Sequence, residues 1–96
     1  MTKIIALDYD DTYTADPELW DLFIAAAVKN RHLVVCVTFR YQDRQPIDAP
    51  PPGIELFYTG GQPKGAYMAA QGLMPDIWID DMPDLIGPTR RLLEPI

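Results

Sequence analysis

Apolar residues along this chain follow two rhythms. Lys3-Ile4-Ile5-Ala6-Leu7 is a short apolar run that stops at an acid, as a strand buried on both faces does at the carboxyl edge of a parallel sheet. Asp16-Pro17-Glu18 then reads as an N-cap, a proline at the first helical position and an acid in the first turn. Leu19, Leu22, Phe23, Ala26 and Ala27 follow at helical spacing, with Trp20, Ile24 and Val28 widening the apolar face, which predicts a helix lying on a sheet. A second strand is predicted over 33–37, rich in β-branched residues and ending at Thr38, and a third over 54–58, ending near Thr59-Gly60-Gly61. Residues 63–71 predict a short helix with Gly72 as its left-handed stop, and Ile77-Trp78-Ile79 a fourth strand ending at Asp80-Asp81.

Strand, helix, strand, loop, strand, helix, strand is an α/β order. It predicts a mostly parallel sheet whose strands all end on one edge, because crossovers between parallel strands are right-handed. The connection 41–53 is unusual. Pro46, Pro50, Pro51 and Pro52 fall where a crossover helix would normally lie, so an extended or polyproline-like loop is expected there. The tail 87–96 has no clear assignment, and the chain contains no internal repeat.

Composition bounds the rest. At 96 residues one domain is expected, and 48% hydrophobic with 23% charged residues is ordinary for a globular protein. Cys36, the single cysteine, lies inside an apolar run and is expected to be a buried thiol. No signal pattern opens the chain and no apolar stretch approaches the roughly 20 residues of a membrane span, so a cytoplasmic protein without membrane contact is expected. A net charge of −6 argues against a nucleic-acid polymer as partner. The acids are unevenly placed: Asp8, Asp10 and Asp11 form one cluster, and Asp80, Asp81 and Asp84 another.

The predicted topology brings Asp8, Thr38 and Asp80-Asp81 from three strand ends to one crevice, with Lys64 near the start of the following helix. This ordered set resembles the haloacid-dehalogenase-like hydrolase superfamily: an apolar strand then DxDx[TV], an apolar strand then Thr or Ser, a Lys, and an apolar strand then DD or DxxxD. Asp8-Tyr9-Asp10-Asp11-Thr12 matches the first motif, 33–38 the second, Lys64 the third, and Ile77-Trp78-Ile79-Asp80-Asp81 with Asp84 the fourth. Each motif alone is weak; the specificity lies in their order and structural placement. The resemblance implies a small three-layer Rossmann-like fold with sheet order 3-2-1-4; only seven residues separate Asp8 from Asp16 and one modest Pro-rich loop separates strands two and three, so neither usual insertion point holds a cap domain.

It also implies a mechanism. Asp8 would attack phosphorus and become an aspartyl phosphate. Asp10 would protonate the leaving oxygen and then activate water. Thr38 and Lys64 would hold the phosphoryl group, and a Mg2+ cofactor would be held by Asp8, the Asp10 carbonyl and Asp80, with Asp81 as a direct or water-mediated partner. Arg40 has two readings, a binder of a second anionic group of the substrate or an ordinary surface arginine.

Other residues carry plainer expectations. Asp84 reads equally as a site acid or as the cap of a turn after Pro83. Asp11, where the family often carries Gly, reads as a tolerated loop residue. His32 belongs to the opposite edge, and Gly60-Gly61 reads as a turn, since the segment is no Walker loop. A crevice without a cap suggests a bulky or macromolecular phosphate as substrate, or a homo-oligomer that covers its own site. The rival functions are a catalytically silent phosphate-binding or protein-interaction module, and a response-regulator receiver. Motif order argues against the receiver, because Lys64 precedes Asp80-Asp81.

Overall fold

A computed structural model describes residues 2–88. Its sheet has four strands, β1 (Ile4–Leu7), β2 (Leu33–Thr38), β3 (Glu55–Tyr58) and β4 (Ile77–Ile79), in the order β3-β2-β1-β4. Every pairing is parallel. The two helices are α1 (Pro17–Lys29) and α2 (Lys64–Ala70). The expected α/β architecture and strand order are therefore present, and of the unassigned tail, residues 89–96 lie outside the described residues.

Alternation along the strands divides the core into two layers. Ile5, Leu7 and Val34 pack with Ile24 and Ala27 of α1, whereas Ala6, Val35 and Val37 pack with Met68 of α2. Central β1 has to be apolar at consecutive positions because both of its faces are covered. Right-handed crossovers require the steps β1 to β2 and β2 to β3 to pass over one face and the return from β3 to β4 over the other. Helices α1 and α2 accordingly lie on opposite faces, and a three-layer arrangement results.

The proline-rich connection takes the place of a helix, as its composition implied. It turns on the carbonyl of Tyr41, which accepts from Arg44 N and Gln45 N at 3.2 and 2.8 Å. It then buries Ile47 and Pro51, while Ile47 N donates to Tyr58 Oη at 2.9 Å. Tyr58 shares a register position with Thr38, so it faces the α1 side of the sheet. The loop's buried residues are thus one isoleucine and one proline, Pro46, Pro50 and Pro52 being exposed, and Ile47 meets Tyr58 on that face.

Helix α1 begins as expected, with Asp16 Oδ1 accepting from Leu19 N at 3.2 Å and Pro17 in the first turn. Its buried stripe corrects the expected one. Ile24 and Ala27 are buried and Trp20 and Phe23 half-buried, whereas Leu19, Leu22 and Val28 are 51%, 66% and 52% exposed and Ala26 is exposed too. A single helix on a narrow sheet buries one i, i+3, i+4, i+7 stripe, and a helix apolar nearly all round does not declare which stripe that is. At the end of α2, Leu73 N donates to Met68 O and Gly72 N to Ala69 O, at 3.1 and 3.0 Å, with Gly72 at φ +76°. This is a Schellman ending, and Leu73 closes it by packing into the Met68 cluster.

Neither connection near the carboxyl edge holds a further domain. Between Asp8 and α1 there is only a 3-10 turn over Tyr13–Ala15, and between β2 and β3 only the proline-rich loop. No helix among the described residues is long and apolar enough to cross a membrane.

Candidate active site

The end of β1 fixes the first site residue. Asp8 continues the β1 to β4 pairing by donating its N–H to Ile79 O at 2.9 Å, so its side chain stands beside the exit of β4. Lys64, the first residue of α2, reaches the same point from across the sheet edge. Its side chain is 1% exposed, and its ammonium lies 2.7 Å from Asp8 Oδ1 and 2.5 Å from Asp80 Oδ2. A desolvated ammonium costs several kcal/mol unless paired, and two carboxylates supply that compensation.

The remaining carboxylate oxygens are held too. Asp80 Oδ1 accepts from Met82 N at 2.9 Å. Thr12 Oγ1 lies 3.1 Å from both Asp8 Oδ2 and Asp81 Oδ1 and accepts from Asp81 N at 3.2 Å. A hydroxyl has one proton, so it serves only one of these two carboxylates at a time. Oxygens of Asp8, Asp80 and Asp81 lie within 4.8 Å of one another. Three carboxylates against one ammonium leave a surplus of negative charge, and each like-charged pair about 4 Å apart is worth roughly 4 kcal/mol of repulsion at an effective dielectric near 20.

Titration reflects this crowding. Burial pushes the Asp8 carboxyl up to about 6, against the hydrogen bond and charge of Lys64 and with help from Asp81 and Asp80. Asp81 moves the other way, below the usual carboxylate range, chiefly through its hydrogen bond with the Asp8 carboxyl. A hard divalent cation would relieve the surplus, and the all-oxygen donor set of Asp8, Asp80 and Asp81 fits Mg2+ in kind.

Asp10 and Arg40 form a second group. Arg40 Nη2 and Nε donate to Asp10 Oδ1 and Oδ2 at 2.7 and 2.9 Å, a two-pronged pair. The Asp10 carboxylate raises the guanidinium above its ordinary range. Arg40 is thus turned onto Asp10. Thr38 is buried at the end of β2, where its hydroxyl accepts from Arg40 N at 3.3 Å and its carbonyl from Thr59 N at 2.9 Å. Thr59 Oγ1 is buried without a hydrogen-bond partner among the described residues.

Of the residues expected from sequence, Asp8, Lys64, Asp80 and Asp81 meet through their side chains, whereas Asp10, Arg40 and Thr38 form an adjoining chain of contacts. The sequence marks Thr12 only as the last letter of a motif. Its position four residues after Asp8, inside the turn that leaves β1, was the available signal. Asp84 is exposed in the first turn of the 3-10 segment Pro83–Leu85 and is not among the acids grouped around Asp8. Asp11 has φ +61°, which accounts for a position suited to Gly, and its N–H donates to Thr14 Oγ1 at 2.9 Å.

The plainer residues fall where expected. His32 Nδ1 accepts from Lys3 N at 3.0 Å, at the opposite edge of the sheet. The amides of Gly60 and Gly61 donate to Arg40 O and Phe39 O, at 3.0 and 2.9 Å, so they serve a turn. Burial pushes the Cys36 thiol up to about 12, which leaves it unreactive. No family model, curated protein or solved structure matches the chain.

Proposed function

We propose that this protein is a magnesium-dependent phosphohydrolase of the haloacid-dehalogenase-like type, working through an aspartyl phosphate on Asp8. The observation that carries the reading is the sealed Lys64 ammonium bridging Asp8 and Asp80, with carboxylate oxygens of Asp8, Asp80 and Asp81 within 4.8 Å of one another. Such an arrangement keeps a nucleophilic carboxylate aligned and lowers the repulsion an incoming phosphate would meet.

In this reading an oxygen of Asp8 forms a bond to phosphorus as the bond to the leaving oxygen breaks. Asp10 gives that oxygen its proton and then takes one from the water that hydrolyses the acyl phosphate, regenerating Asp8 and releasing inorganic phosphate. Lys64 offsets the charge of nucleophile and phosphoryl group, and the Thr38 hydroxyl donates to a phosphoryl oxygen. Asp8, the Asp10 carbonyl, Asp80 and Asp81 are the residues that would hold Mg2+. When bound, the ion supplies electrostatic stabilisation of charge on the phosphoryl oxygens.

The open edge suits a phosphate on a bulky molecule, or a second copy of the chain as cover; the net charge of −6 disfavours a nucleic-acid polymer. A single inert thiol suits a reducing compartment such as the cytoplasm. One observation favours a second reading, a silent phosphate-binding or protein-interaction module: both oxygens of Asp10 are engaged by Arg40, so proton delivery requires a free lone pair or an opening of that pair.

Phosphate release from p-nitrophenyl phosphate and a nucleotide panel, titrated with Mg2+, separates the two. Turnover that needs Mg2+ and disappears in Asp8→Asn is expected. A folded wild-type protein with no turnover on any ester at saturating Mg2+ would leave the binding module standing instead.

A further inference from the structure

We infer that Arg40 is a positioning residue that fixes the Asp10 carboxylate and fastens it to the proline-rich loop 41–53, so that loop and acid behave as one unit. The contacts form a continuous network. Besides its two bonds to Asp10, Arg40 directs Nη1 toward Gln45 O and Pro46 O, at 3.3 and 3.4 Å. Its guanidinium carbon lies 5.3 Å from the centroid of the Tyr9 ring, and Tyr9 Oη donates to Ala49 O in the same loop at 3.4 Å. The Arg40 backbone is anchored at both ends, its N–H on Thr38 Oγ1 and its carbonyl on Gly60 N. Three segments therefore converge on one side chain: the turn after β1, the exit of β2 and the loop.

The geometry separates this role from substrate binding. Each of the three guanidinium nitrogens already has an acceptor from the protein, so an incoming anion would have to compete with Asp10 for the fork. A lone exposed ion pair would be worth only about 0–1 kcal/mol, and with side-chain exposures of 28% and 48% this pair alone would not fix a rotamer. The fixing comes from the planar guanidinium engaging Asp10 on one side and the two loop carbonyls on another. Lysine, a point donor, cannot reproduce that. The loop thereby takes on part of the work a cap would do, setting where the proton-handling group stands.

Asp10's chemical role here rests on the phosphohydrolase reading; the fastening of acid to loop does not. The test therefore has two arms on the full chain. In the first, Arg40→Gln and Arg40→Lys are each expected to lower kcat for p-nitrophenyl phosphate by roughly 10- to 100-fold, as misplacement of a catalytic group does. KM should stay within about twofold. A raised KM at unchanged kcat would make Arg40 a substrate ligand, and full activity in Arg40→Lys would remove the need for a fork; either overturns the inference.

In the second arm, hydrogen exchange of the amides of 41–49 is followed in wild type, Arg40→Gln, Asp10→Ala and the double variant, with β1 and β2 amides as the control for folding. Both single variants should exchange faster in the loop, and the double variant no faster than Arg40→Gln alone. Unchanged loop exchange in Asp10→Ala overturns the inference. Should wild type show no turnover, the phosphohydrolase reading falls, and this second arm alone decides the fastening.

Discussion

The Lys64 ammonium and the Asp8 carboxylate, 2.7 Å apart and both nearly closed to solvent, are each other's condition for being buried. Lys64 neutralises one of the three carboxylates at the edge and holds Asp80 with its second contact. Lys64→Met keeps the volume but removes the charge, leaving Asp8 and Asp80 buried without a cation. Removing one partner of a buried ion pair typically destabilises by about 3–5 kcal/mol. Urea unfolding is expected to show a loss of that order, with phosphatase activity abolished. Addition of Mg2+ should restore part of the stability, because a divalent cation supplies the missing charge. A Lys64→Met variant as stable as wild type without added metal would mean that the carboxylates simply protonate at no consequence.

The pH dependence of stability has a definite sign at Asp8. Its folded-state carboxyl is raised to about 6 from the usual 3.8, first by burial, so between those values the native protein binds more protons than the unfolded chain. Stability from this group is fully present below about 3.8 and is lost as pH rises through about 6. Asp81, shifted downward, acts only below the ordinary carboxylate range and does not intrude on that window. Melting temperatures of metal-free protein from mildly acid to neutral pH should therefore fall more steeply in wild type than in Asp8→Asn. Mg2+, which needs ionised ligands, should raise the melting temperature more at neutral pH than at pH 5. Parallel profiles for the two proteins would refute the shift.

Asp11 offers a stability test away from the buried ions. Its φ of +61° places an L side chain in the left-handed region, where Asp is tolerated and Gly is at home. The side chain is exposed, and the one hydrogen bond there uses the backbone N–H, which Gly retains. Asp11→Gly gains by relieving strain and loses by loosening the unfolded chain. Relief of left-handed strain, about 1 kcal/mol, is expected to prevail. Chemical denaturation would show a higher midpoint, and a lower one would mean that the entropy of the unfolded chain outweighs the strain.

The sequence made the sheet edge legible because its signals are local: each strand is a mainly apolar run, and three of the four, β1, β2 and β4, lead into the polar residues of the candidate site. Order along the chain and the handedness of crossovers then brought Asp8, Lys64 and Asp80 together without any knowledge of side-chain direction. Contacts across the edge were not legible in the same way. Whether Arg40 turns toward substrate or toward Asp10 depends on a rotamer and on the path of a proline-rich loop, neither of which leaves a periodic trace. The buried stripe of α1 was hidden for a different reason, since Leu19 and Leu22 look as apolar as Phe23 and Ile24 when only spacing is read.

Thr12 is the site residue that spacing did not reveal, and its single hydroxyl proton between two carboxylates defines its test. At 3.1 Å from both Asp8 Oδ2 and Asp81 Oδ1, it joins the exit of β1 to the exit of β4. Thr12→Val preserves shape and removes the donor, so a buried carboxylate oxygen loses its partner, a change worth about 1–3 kcal/mol. Thr12→Ser retains the hydroxyl and should recover most of that difference. If Asp81 also holds the metal, Thr12→Val should weaken Mg2+ binding as well, read by calorimetry without any substrate, since the hydroxyl no longer steers the Asp81 carboxylate toward Asp8. Equal stability and equal metal affinity in Thr12→Val and Thr12→Ser would show that neither carboxylate depends on the Thr12 hydroxyl for its place.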